Sequence, residues 1–226
     1  MSFQSSDFRG PGTALLVAVA LALAPGEATA ATAQDAACDA GAVKVGNPYK
    51  GVFFENDFSY LDNPCLADND PRGNMARFTD GWKRQRMFGG GYLDVGGEFR
   101  LRLHSEDRLG KTRLDGIDNS FALTRIRLYA NAVINGHLRV YAEMIDARIT
   151  GHEFGPRGID VDHTDFLNAF IEVKGDLGGG RGFIRVGRQE LMFGAQRLIS
   201  PLDWANIRRT FDAVRATYQI SNFRLS

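Results

Sequence analysis

From Tyr92 onward the chain alternates apolar and polar residues with a period of two, over segments longer than ordinary strands. Residues 92–104 set Leu93, Val95, Gly97, Phe99, Leu101 and Leu103 on one face. Asp94, Gly96, Glu98, Arg100, Arg102 and His104 fall on the other. Strands of soluble proteins have about 5–6 residues, whereas a tilted membrane strand needs about 9–11. The pattern repeats. Residues 120–133 set Ala122, Thr124, Ile126, Leu128, Ala130 and Ala132 against Leu123, Arg125, Arg127, Tyr129 and Asn131. Residues 137–148 set Leu138, Val140, Ala142 and Met144 against Arg139, Tyr141 and Glu143, with a bulge expected before Asp146 and Arg148. Residues 165–174 set Leu167, Ala169, Ile171 and Val173 against Asn168, Phe170, Glu172 and Lys174. Residues 182–189 and 211–219 follow, and Phe223 starts another segment.

The connections alternate in length. Long ones (residues 105–119, 149–164 and the stretch before 211) are interleaved with short ones, among them Asn135-Gly136, the strongest short hairpin signal. Antiparallel meanders with one elaborate end are the layout of outer-membrane barrels, whose short turns face the periplasm. The predicted fold is therefore all-β: an antiparallel meander of six or seven long strands from an outer-membrane β-barrel. Even the smallest membrane barrels have about eight strands. The chain also stops at Arg224-Leu225-Ser226, inside a strand, so residues 91–226 are expected to be the N-terminal part of a larger barrel domain.

Ahead of the strands, Arg9 precedes the apolar run from Thr13 to Ala24, Pro25-Gly26 breaks it, and Ala28-Thr29-Ala30 offers a cleavage site. Such a run fits a signal-peptide core and is too short for a spanning helix of about 20 residues. Residues 1–30 are read as a signal peptide, and the outer membrane as the destination. Residues 31–90 are read as an irregular, loosely held periplasmic extension, whose aromatic cluster from Tyr49 to Leu61 has no clear period. Cys38 and Cys65, the only cysteines, would be free to pair in an oxidising periplasm.

Formal net charge is zero, so nothing draws the chain to nucleic acid. Of 27 basic residues only Lys44, Lys50, Lys83, Lys111 and Lys174 are lysines. Arginine grips carboxylates with paired donors; a GC-rich genome yields the same bias, so placement decides. On the polar face Arg100, Arg102, Arg125, Arg127 and Arg139 alternate with Glu98 and Glu143. Facing lipid at the midplane, each arginine would cost about 2–4 kcal/mol, so these residues are assigned to the lumen. Arg185 and Arg215 are placed inside with them, and Arg188 near the rim. Two readings stay open. The arginines form an anion-attracting pore, or they pair with the acids and rigidify a closed wall, leaving a structural barrel or adhesin.

No nucleophile-elbow, P-loop or zinc-protease motif is present, and the four histidines stand apart. No catalysis and no cofactor are expected. Asp160, Asp162 and Asp165 could hold a cation, but a solvated acidic loop is the plainer reading.

The stretch Gly187–Arg215 joins two strands through a long charged connection, which is expected to fold inward. Ser200-Pro201 reads as the start of a short helix. Phe193, Leu198, Leu202 and Trp204 serve as apolar anchors, and Asp203 pairs with Arg208 or Arg209. The block Gly187-Arg188-Gln189-Glu190, Gln196-Arg197-Leu198, Pro201-Leu202-Asp203-Trp204, Asn206 and Arg208-Arg209-Thr210-Phe211-Asp212 resembles the alginate-export outer-membrane porin family. So do Asp94 to Arg102 and Arg125-Ile126-Arg127. The resemblance implies a large barrel with an arginine-rich constriction passing an acidic polysaccharide. It would put Arg100, Arg102, Arg125 and Arg127 in the lumen wall, with Arg197, Asp203, Arg208 and Arg209 on the connection beside it. The implied partners are the bilayer, an anionic polysaccharide or small acidic solute, and periplasmic export components.

Overall fold

The computed structural model describes residues 46–63, 78–106, 119–152, 155–194 and 196–225, all within the unit Asp39–Ser226. The signal peptide and the Cys38–Cys65 pairing lie outside the described residues. Eight strands follow one another: β1 (Gln85–Met87), β2 (Gly91–Glu106), β3 (Asn119–Ile134), β4 (Leu138–Thr150), β5 (Asp162–Leu177), β6 (Gly180–Gln189), β7 (Phe211–Ile220) and β8 (Phe223–Leu225). They form one antiparallel meander in sequence order. The sheet is open among the described residues, as in an incomplete barrel: β1 pairs with β2 alone and β8 with β7 alone.

The short connections are two-residue turns. Asn135 and Gly136 both take positive φ (51° and 71°), the geometry that lets a hairpin follow the strand twist. Gly178-Gly179 does the same between β5 and β6 (56° and 81°), which carries both strands further than their hydrophobic pattern indicates.

Alternation sorts the two faces of the sheet. Phe99, Leu101, Leu103, Ile126, Leu128, Val140, Met144, Ile171, Val173, Ile184, Val186 and Val214 are exposed on one. An apolar surface this wide is what lipid requires of a barrel wall. Towards the long-loop end it stops at a belt of charge. Arg148 donates to Asp146 at 2.7 Å, and Arg188 meets Asp212 at 3.1 Å and Asp165 at 3.2 Å. Among the described residues no helix is long and apolar enough to cross a membrane, and this says nothing of strands.

Four expectations are corrected here. A bulge lies in β5, not in β4: register slips where Glu143 faces Asn168 but Met144 faces Phe166, and it slips again, with the added residue once more in β5, between Ile145 facing Asp165 and Ala147 facing Asp162. The alternation of β4 runs on unbroken, so Ile145 and Ala147 are buried while Asp146 and Arg148 join the outer belt. The extra residue turns Leu167 inward beside Asn168, off the apolar face assigned to it.

Residues 46–63 and 78–90, within the extension read as loosely held, are packed against the polar face, and β1 joins the sheet. Val52, Phe54, Phe58 and Tyr60 are buried. Phe54 meets Tyr141 and Phe170 edge-on, with centroids 5.7 and 5.2 Å apart, while Tyr141 stacks between Tyr129 and Phe170 at 5.9 and 5.1 Å. Ring burial with this geometry holds the strap to β3, β4 and β5.

Lastly, no helix follows Ser200. Its hydroxyl accepts from Leu202 N at 3.1 Å, as an N-cap would, but Leu202 sits at φ +56° and the chain turns instead.

Candidate functional site

Strand parity brings most of the predicted residues to one surface. Arg100 and Arg102 from β2, Arg125 and Arg127 from β3, Arg139 and Glu143 from β4, Glu172 from β5, Arg185 from β6 and Arg215 from β7 share the polar face. The β6–β7 connection adds Glu190, Asp203 and Arg208.

At the centre Arg127 reaches Glu143 at 2.6 Å and Glu190 at 3.6 Å, all three almost fully buried. Tyr141 Oη and Asn168 Nδ2 each donate to Glu143 Oε2 at 2.9 Å, and Asn168 also donates to Glu190 at 3.0 Å. Arg208 closes the cluster against Glu190 and Asp203 and donates to Gly51 O in the strap at 2.9 Å. Burial works against the Arg208 charge, but Glu190 and Asp203 hold its guanidinium above the ordinary value. A buried charge survives only when paired in this way. Around the centre Arg125 is held by Glu98 at 2.6 Å, and Arg185 donates to Glu172 at 2.7 Å. Arg139 lies 3.8 Å from Glu172 and donates to Phe54 O at 2.6 Å.

Strap rings cover several guanidinium groups. Arg127 lies 3.7 Å from the Phe53 centroid, and Arg185 is 4.4 Å from Phe54. Lys83 is buried beside Tyr129, donating to its hydroxyl at 3.2 Å and to Val95 O. Burial pulls its ammonium below the usual lysine value, against Asp94 and Asp80.

Other arginines have no carboxylate partner among the described residues. Arg100 donates to Ala205 O at 2.6 Å and Asn206 Oδ1 at 3.2 Å, and Arg102 donates to Trp204 O at 2.8 Å. Arg215 has a buried Nε with no hydrogen-bond partner. Register sharpens the point: Arg100 stands directly opposite Arg125, and Arg185 directly opposite Arg215. Like charges at directly opposed positions destabilise a sheet.

The connection does turn inward at residues 201–208, but Trp204 and Leu198 do not hold it. Trp204 is 64% exposed and Leu198 92%. Asn206 does the work, fully buried and donating to Thr124 O, Arg148 O and Asp160 O at 3.0, 3.3 and 2.8 Å. Arg197 and Arg209 are exposed and away from the cluster, and Asp203 chooses Arg208. Asp160 pairs with Arg157 at 2.6 Å and Asp165 with Arg188, and no acidic or histidine cluster suited to a metal forms among the described residues. Glu172, Glu190, Asn168 and Asn206 were missed as members of the site. The first and third lie in the alternating pattern as inward polar residues, a signal that could have found them.

A family model described as alginate export matches residues 91–226. No curated protein and no solved structure matches the chain.

Proposed function

Because this chain belongs to the alginate-export family of outer-membrane porins, we propose that its polar face lines a path for anionic saccharides, polyuronates or related acids, across the outer membrane. The observation that carries this reading is the pair of arginine–arginine cross-strand contacts, Arg100 with Arg125 and Arg185 with Arg215. A wall built only for rigidity gains from an acid opposite each arginine. Here one arginine of each pair, Arg100 and Arg215, is left without a carboxylate among the described residues. The stability forgone is recovered when a carboxylate passes, since guanidinium–carboxylate bonds are charge-assisted and paired. A low-dielectric wall strengthens that attraction.

The second reading, a closed structural barrel, is favoured by the strap and the β6–β7 connection, which cover much of the same face. Single-channel recording on the full-length protein in planar bilayers separates the two. Anion-selective conductance supports the channel, and replacing Arg100 or Arg215 by Glu should then move the reversal potential towards cations. Absence of conductance, or cation selectivity in the wild type, would sink it. Arg127 is unsuited to the test, because a glutamate there would be buried against Glu143 and Glu190 and would damage the fold itself.

A further inference from the structure

Where the β6–β7 connection turns inward, it is pinned by its backbone and presents two side chains outward. Ala205 N donates to Leu202 O at 3.0 Å, so Asp203 and Trp204 are the corner residues of a tight turn. Leu202 is held at φ +56°, a left-handed conformation that a bulky side chain disfavours and that persists only where surrounding contacts impose it. Those contacts all grip the main chain. Arg100 donates to Asp203 O at 3.4 Å and to Ala205 O at 2.6 Å, Arg102 donates to Trp204 O at 2.8 Å, and buried Asn206 anchors the residue that follows. The side chains at the corner stay outside: Trp204 is 64% exposed and Asp203 65%. Asp203 turns Oδ1 to Arg208, and its Oδ2 makes no hydrogen bond among the described residues.

We infer that Asp203 and Trp204 form a binding site for a pyranose ring that requires no charge on the sugar. The indole lies against the apolar C–H face of the ring, whose hydrogens meet its negative π face. A sugar hydroxyl donates to Asp203 Oδ2. Charge decides which part of a sugar fits here. A carboxylate beside the indole accepts hydroxyl protons and repels a second carboxylate, so the ring face and the hydroxyls are recognised, not an acid group. A lone exposed apolar side chain is ordinary on a protein surface. This indole differs, because three arginine-to-carbonyl bonds fix its turn at a strained leucine, and a ring held in advance loses little freedom on binding. The inference rests on the reading that saccharides pass this face, and it adds a contact that selects for the sugar ring rather than for charge.

Trp82 and Trp204 are the only tryptophans, so W82F leaves Trp204 as the sole indole reporter in the full-length protein. The test is titration with maltotetraose, a neutral sugar, in a detergent that carries no sugar headgroup. Trp204 emission should shift to shorter wavelength and saturate, acrylamide quenching should fall, and the affinity should be the same in low and high salt, since no ion pair forms. Calorimetry on W204A should show affinity reduced about threefold to tenfold, the worth of one ring contact. W204F should recover most of it. The main-chain bonds that hold the turn remain in both variants, so folding is not at stake. Emission already at short wavelength and shielded from acrylamide before sugar is added would mean that protein covers the ring. That result, no saturable response to maltotetraose, or equal affinity in W204A and the wild type would each overturn the site. Conductance of the same preparations keeps the two ideas apart. A protein that answers to maltotetraose but does not conduct loses the channel and keeps the site; one that conducts anions while Trp204 stays unresponsive keeps the channel alone.

Discussion

On the proposed transport reading, Arg215 is a residue that trades stability for an anion-attracting surface. It faces Arg185 across the β6–β7 ladder, and among the described residues only Arg185 has a glutamate. Replacing Arg215 with Glu turns a repulsive cross-strand pair into an attractive one. The variant should therefore melt higher in detergent, by about 0.2–1 kcal/mol in stability, while its channel becomes less selective for anions. Lower stability with unchanged selectivity would take Arg215 out of the path. Gly96 makes the opposite kind of demand. A Cβ there would meet Lys83 Nζ and the Tyr129 hydroxyl, so the strap's lysine reaches the polar face only because residue 96 has no side chain. Gly96→Ala should cost about 1–3 kcal/mol, read as a lower melting temperature. A neutral outcome would mean that Lys83 is not held there.

Among the elements, the β6–β7 connection divides into an exposed part, residues 192–194 and 196–198, and an anchored part from Pro201 to Arg208. Native trypsin should cut after Arg197 and spare the bond after Arg208. Asn206→Ala leaves the carbonyls of Thr124, Arg148 and Asp160 without their donor, at a cost of about 1–3 kcal/mol. Cleavage after Arg208 should then appear; a variant as resistant as the wild type would show that Asn206 is not the anchor. The difference in legibility between elements has a physical root. A strand buried on one face must alternate, so β2 to β7 and the inward arginines were written in a period of two. Apart from the Asp203–Arg208 pair, which the charges announced, the connection is held by side chains meeting backbone carbonyls, which leave no mark on the sequence. Trp204 and Leu198 therefore looked like anchors and are exposed. The strap was hidden for a related reason: Val52, Phe54, Phe58 and Tyr60 dock from short turns of 3-10 helix, whose spacing follows neither strand nor α-helix. The β5 bulge was misplaced because Asp146 and Arg148 broke the apolar run of β4, although they pair with each other above it.

For the whole molecule, the strap and the connection do one thing together: they lend backbone oxygens to arginines. Gly51 O takes Arg208, Phe54 O takes Arg139, Ala205 O takes Arg100 and Trp204 O takes Arg102. A carbonyl carries a partial charge, and a carboxylate binds a guanidinium roughly twice as strongly as a neutral acceptor does. On the proposed transport reading an acidic polymer competes for these donors, and the strap's grip on the face then rests on its rings. Phe54 is the main one, set between Tyr141, Phe170 and the Arg185 guanidinium. Truncating a buried phenylalanine costs about 3–5 kcal/mol, and here that cost falls on docking of the strap rather than on the β2–β7 ladder. Phe54→Ala should accordingly raise single-channel conductance or open probability, keep anion selectivity, and leave the sheet's resistance to heat in detergent close to that of the wild type. If the strap is instead a permanent part of the core, the same variant will lose heat resistance while its conductance stays where it was, and the path must then run past the strap rather than through the space it fills.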